Sequence, residues 1–143
     1  MVVTDTNLLV YAHRAGLPEH PVARAALEAA GRHPDGWGIT TSSILEFWSV
    51  VTHPAASGRP STPGEARAFI EALVDAGARL LSPGPALGQR ILDAAARTGV
   101  VGPRIFDLAI AVTALDHGAT ELWSHDRRFL TLPGLRLVDP LSS

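Results

Sequence analysis

Met1-Val2-Val3-Thr4-Asp5-Thr6-Asn7-Leu8-Leu9-Val10-Tyr11-Ala12 is the stretch on which the reading turns. Met1 to Thr4 is short, apolar and β-branched, which predicts a strand. Asp5-Thr6-Asn7 breaks it, and Leu8 to Ala12 predicts a buried helix. A strand that ends on an acid and runs straight into a helix is the opening unit of an alternating α/β chain. The rest of the sequence repeats the alternation. Helices are predicted over His20–Arg32, Ile44–Val51, Glu65–Ala76, Pro85–Thr98 and Ile105–His117. Strands are predicted at Trp37–Thr40, Arg79–Leu81, Glu121–Ser124 and Leu135–Val138. Thr41, Ser42 and Ser43 offer N-caps to the third helix. Thr52 to Gly64, rich in Pro, Gly and Ser, reads as a loop. Five strands alternating with helices predict a parallel sheet covered on both faces, with ligands bound outside the carboxyl ends of the strands.

The 143 residues are expected to form a single domain, 1–143, large enough to bury a core. No apolar run approaches the length of a membrane span. The N-terminus lacks the basic region of a signal peptide, so a cytoplasmic protein is the expectation. There is no cysteine, which excludes disulfides, thiolate catalysis, Cys-type zinc sites and iron–sulfur clusters. Every non-histidine base is arginine, so Schiff-base chemistry and a Walker-type phosphate loop are excluded too. Arginine suits bidentate phosphate contacts, although a GC-rich coding sequence would produce the same bias. The net charge of −2 is not that of a typical nucleic-acid binder.

Position separates four acids from the rest. Glu28, Glu65, Glu71, Asp75 and Asp93 fall on polar helix faces and read as solvated surface. Asp5 ends the first strand and opens the first helix, as either an N-cap or a ligand. Glu46 lies among Ile44, Leu45, Phe47, Trp48, Val50 and Val51 and shares a face with Ser42, a polar stripe that faces either solvent or a site where a carboxylate needs a partner or a metal. Asp107 opens the segment Ile105 to Leu115, apolar all round apart from itself and Thr113, as a cap or a ligand. Asp126 follows the fourth strand as Asp5 follows the first, and as a cap it would serve Arg127 to Leu130. An open α/β sheet brings such positions together. Four clustered carboxylates repel, and Mg²⁺ or Mn²⁺ would relieve the repulsion with hard oxygen ligands. Two such ions can activate water and stabilise the leaving oxygen in phosphodiester hydrolysis.

These residues match a family pattern. Val3 to Ala12 resembles the opening of PIN-domain ribonucleases, in particular the VapC toxins of bacterial toxin–antitoxin pairs. Ser42-Ser43-Ile44-Leu45-Glu46-Phe47 resembles their second motif and Phe106 to Ala111 their third. Trp123-Ser124-His125-Asp126-Arg127-Arg128-Phe129 resembles their fourth, and Leu132 to Leu135 their usual ending. The resemblance implies a PIN-like three-layer α/β/α sandwich around about five parallel strands. It implies a Mg²⁺- or Mn²⁺-dependent endoribonuclease, a homodimer, and inhibition by a VapB-like antitoxin. It makes Asp5 and Asp107 the core metal ligands, has Glu46 hold metal or orient water, and lets Asp126 complete the cluster. Asn7 and Ser124 match positions that orient those ligands. Arg104, Arg127 and Arg128 are candidates for RNA phosphate contacts or for plain surface. Two departures stand out: Arg128 occupies a place that often holds a further acid, and His125 one where smaller polar residues are usual.

The remaining polar residues point elsewhere weakly. The histidines lack an HExxH spacing, and no GxSxG elbow is present. Trp37, Trp48 and Trp123 read as core. A haloacid-dehalogenase-like phosphatase would need an acid where Asn7 stands, and a lysine. The non-enzymatic alternative is a PIN-like module that binds RNA or protein without cutting.

Overall fold

The computed structural model describes residues 1–56 and 58–142. Residue 57, within the predicted loop, and residue 143, at the end of the predicted domain, lie outside the described residues. The strands are β1 (Val2–Thr4), β2 (Trp37–Thr40), β3 (Arg79–Leu81), β4 (Glu121–Trp123) and β5 (Arg136–Val138). The helices are α1 (Thr6–His13), α2 (His20–Gly31), α3 (Thr41–Thr52), α4 (Pro63–Asp75), α5 (Leu87–Thr98) and α6 (Ile105–Asp116), with a 3-10 turn at Gly102–Arg104 before α6. All strand pairs are parallel, in the order β3-β2-β1-β4-β5.

Each predicted element is present, and the boundaries shift for local reasons. Asp5 caps α1 directly, so that helix starts at Thr6 rather than Leu8. Thr40, the last residue of β2, accepts from the Ser43 amide at 3.2 Å and is the cap of α3. Thr41, Ser42 and Ser43, predicted as caps, are therefore already helical. Thr62 and Glu65 form a reciprocal capping box, so α4 begins at Pro63, inside the predicted loop. That role, together with Arg59, holds the Glu65 carboxyl down at about 2.

Alternate residues of the short strands feed two cores. Val2, Trp37 and Ile39 join Leu8, Leu27, Phe47 and Ile70 beneath α1 to α4. Val3, Leu81 and Leu122 join Ile110, Ala111 and Ala114 beneath α6. A parallel sheet buried on both faces explains why its strands read as unbroken apolar runs. Gly38 shows how tightly one face is packed. A Cβ there would fall 2.9 Å from Leu81 Cγ and 3.0 Å from the Arg79 carbonyl oxygen. Gly38→Ala is expected to destabilise the protein by ~1–3 kcal/mol, read as a lower urea midpoint.

The topology decides where a site can form. From β1 the chain moves through β2 to β3, then crosses back to β4 on the other side of β1. Connections leaving β1 and β4 diverge, and the crevice between their carboxyl ends opens at Asp5 and Ser124. The ladder extends to that point, because the Asp5 amide donates to the Trp123 carbonyl at 2.9 Å.

Candidate active site

Asp5 is buried, 8% exposed, and both carboxylate oxygens are engaged. Oδ1 accepts from the Thr6 amide at 2.7 Å, and Oδ2 accepts from the Ser124 hydroxyl at 2.7 Å. Asp5 is thus a helix cap and a member of the cluster at once. Burial pushes its carboxyl up from 3.8 to about 6 against those two hydrogen bonds, with further upward pressure from Asp107 and Asp126.

Ser124 is the hub. Fully buried, it donates to Asp5 and accepts from Asn7 Nδ2 at 3.2 Å and from the Asp126 amide at 3.0 Å. Asn7 also accepts from the His125 amide at 3.3 Å, which stitches α1 to the turn after β4. Asn7 and Ser124 therefore hold Asp5 and Asp126 in fixed relation, as polar groups around charged ones do elsewhere.

Asp107 lies in the first turn of α6, where the helix dipole favours an acid. Its Oδ2 accepts from the Leu130 amide and from Arg104 Nη1, each at 3.0 Å. The same Arg104 nitrogen donates to Asp126 Oδ2 at 2.7 Å. Asp126 Oδ1 accepts from the Arg128 amide at 2.9 Å, so Asp126 also caps the turn that follows it. Arg104 lowers the Asp126 carboxyl against the upward pull of partial burial.

Glu46 joins the group without a hydrogen bond. Its Oε1 is buried with no partner among the described residues. Burial, then Asp5, then Asp107, raises its carboxyl above the usual range. A carboxylate oxygen left in that state is open to a ligand from outside the chain.

The four predicted acids thus converge at the sheet's carboxyl edge. Arg104 proves to be an ion-pair partner of two of them. Arg127 and Arg128 are 80% and 86% exposed at the side chain, Arg128 with its Nε 3.9 Å from Asp126 Oδ1 and Arg127 with its Nε 3.9 Å from Asp139 Oδ2. Trp48, read as core, is 39% exposed, because only the opposite side of α3 reaches the sheet. One residue was missed from the sequence. Asp139, after β5, pairs with His125 Nδ1 at 3.1 Å and with the Ser142 hydroxyl at 2.7 Å. Its signal was positional, an acid just beyond a strand's carboxyl end, as with Asp5 and Asp126.

The family model for the PIN domain matches residues 2–135. This chain belongs to the PIN-domain family. Ribonuclease VapC43 of Mycobacterium tuberculosis is 35% identical to it over 142 residues, spanning 99% of this chain and 96% of the relative. Ribonuclease VapC48 of the same species is 29% identical over 143 residues, 96% of each chain. Among solved structures, Mycobacterium tuberculosis VapC20, a sarcin–ricin loop cleaving toxin, superposes with a TM-score of 0.69 at 16% identity, covering 90% of this chain and 92% of that one. VapBC2 from Rickettsia felis, solved on a DNA fragment from its promoter, gives a TM-score of 0.66 at 17% identity, covering 96% and 98%. The PIN fold of this chain is the three-layer α/β/α arrangement of those neighbours.

The four acids offer carboxylate oxygens, the donor type that a hard divalent cation takes, and one of these oxygens is buried with no partner among the described residues. As the side chains stand, no three acidic or histidine groups among the described residues enclose a common point. Arg104 lies against Asp107 and Asp126 instead.

Proposed function

We propose that this PIN-domain protein is a metal-dependent endoribonuclease, the toxin member of a VapBC-type pair. The observation that carries the reading is the convergence of Asp5, Glu46, Asp107 and Asp126 at the β1/β4 crevice, with a buried Glu46 oxygen that has no partner among the described residues. The relatives that span this chain are named ribonucleases, and the solved neighbours include toxin–antitoxin complexes.

Asp5, Asp107 and Glu46 would hold Mg²⁺ or Mn²⁺, and Asp126 would complete the cluster. When bound, the metal supplies an activated water and charge stabilisation for the leaving oxygen. The chain's own groups do the rest. Ser124 and Asn7 fix the direction of the Asp5 carboxylate, so its geometry is set before substrate arrives. Asp5 must be ionised to hold metal, and burial holds its carboxyl up at about 6 in the metal-free protein, so metal should bind more tightly as pH rises. Arg128, exposed beside Asp126, and Arg127, exposed beside Asp139, would meet RNA phosphates at the rim.

An antitoxin would dock in the groove of about 780 Å³ bounded by α1, α2 and α4. Leu27, Trp37, Phe69 and Leu73 line it, and Arg24 and Arg32 stand at its edge. A second copy of the chain would cover Leu45 and Trp48, 66% and 39% exposed on one side of α3. An RNA substrate would place the work in the cytoplasm.

The test is incubation with total RNA in EDTA, Mg²⁺ or Mn²⁺, followed by sequencing of new ends. Cleavage with metal and none in EDTA is expected. RNA bound but uncut under every cation would replace this reading with a non-cleaving module.

A further inference from the structure

Arg104 makes a charged contact to two of the acids that the proposed chemistry does not call for. Its Nη1 bridges Asp107 Oδ2 at 3.0 Å and Asp126 Oδ2 at 2.7 Å, which joins α6 to the turn after β4. The bridging carboxylates are well covered, 15% and 32% exposed, and the arginine side chain is 33% exposed. Arg128 also approaches the cluster, its Nε 3.9 Å from Asp126 Oδ1, but it is largely exposed and meets one acid, whereas Arg104 meets two. The residue sits at the end of the Gly102–Arg104 turn, just before α6, so its backbone is anchored while its long side chain reaches across.

We infer that Arg104 is a resident counter-cation that competes with the divalent ion, so that the ion must displace its guanidinium from Asp107 and Asp126 to load. The inference rests on the metal site proposed above. A guanidinium and a divalent cation cannot share the same two oxygens without strong repulsion, because both are positive and within a few ångströms in a partly covered site. A guanidinium cannot relieve that repulsion by deprotonating. Metal affinity is therefore set below what four carboxylates alone would give. The opposite role is also definable: if Arg104 merely positions the two acids, removing it loosens them and weakens metal binding. The two roles predict opposite signs.

The experiment measures Mn²⁺ affinity by isothermal titration calorimetry on the wild type, Arg104→Gln, Arg104→Lys and Asp5→Asn proteins, prepared metal-free. Arg104→Gln should bind Mn²⁺ at least about tenfold more tightly than wild type. Arg104→Lys keeps the charge and should stay within about threefold of wild type. Melting curves guard against misfolding. Without metal, Arg104→Gln should melt below wild type, since its carboxylates lose their counter-charge, and saturating Mn²⁺ should raise its Tm by more than it raises the wild type's. Equal or weaker Mn²⁺ binding by folded Arg104→Gln overturns the counter-cation role while leaving the metal site standing. Mn²⁺ binding by none of the proteins, or undiminished binding by Asp5→Asn, overturns the metal site and this inference together.

Discussion

Asp5→Asn should abolish metal-dependent RNA cleavage, by at least about 100-fold in kcat, while leaving a folded protein. The amide can still accept from the Thr6 amide, so the cap of α1 survives. What it loses is charge at the point where β1, β4 and the acidic cluster meet. The same variant carries a second signature that a purely structural role would not produce. In the unfolded chain the Asp5 carboxyl releases its proton near the ordinary 3.8; in the folded chain it does so near 6. Between those values the folded state holds a proton that the unfolded state has lost. Stability of the metal-free protein therefore falls as pH rises across that window, by an amount on the order of 3 kcal/mol, and stays lower above it. An asparagine does not titrate, so this part of the pH dependence should vanish. Urea midpoints in EDTA at pH 4, 5, 6 and 7, beside a cleavage assay at pH 7, check both halves. Wild-type turnover by the variant would remove Asp5 from the chemistry, and an unchanged pH slope would show that the Asp5 carboxyl is not raised in the folded chain.

Phe47→Ala should cost ~3–5 kcal/mol, the largest single loss of stability expected. The ring is fully buried, stacked on Phe69 at 5.2 Å and edge-on to His13 at 5.4 Å. It ties α3 to α4 and α1, so its loss leaves a cavity among three helices rather than at an edge. Domains are marginally stable, and a loss of that size removes much of the total. Glu46 is the preceding residue, so loosening α3 also frees the acid that no hydrogen bond restrains. Thermal melting and the urea midpoint should fall together. A change below about 1 kcal/mol would mean that the neighbouring rings close the gap.

Phe47 and Trp48 mark the boundary of what patterning can show. Both are large, aromatic and adjacent in a mostly apolar helix. One is fully buried and the other 39% exposed. Adjacent helical positions point about 100° apart, and an apolar helix has too weak a periodicity to say which side meets the sheet. The strands were easier to read, because a parallel sheet buried on both faces demands short apolar runs with turns between them.

The candidate site divides the same way. Asp5 and Asp126 were legible because each follows a strand, and Asp107 because it opens a helix with almost no other polar residue. Asp139 was as legible by position and was passed over, its partners His125 and Ser142 being recognisable only in space. The sequence by itself determined the alternation of strands and helices, the family pattern and the four acids. Those depend on local order, on which residue follows which element. Only the tertiary structure decided that Ser124 binds Asp5 across 119 residues, that Glu46 keeps an unsatisfied oxygen, and that Arg104 bridges two of the acids rather than facing solvent. Charge and hydrogen bonding act through distance in space, and the strand order that sets β4 beside β1 brings these groups within reach.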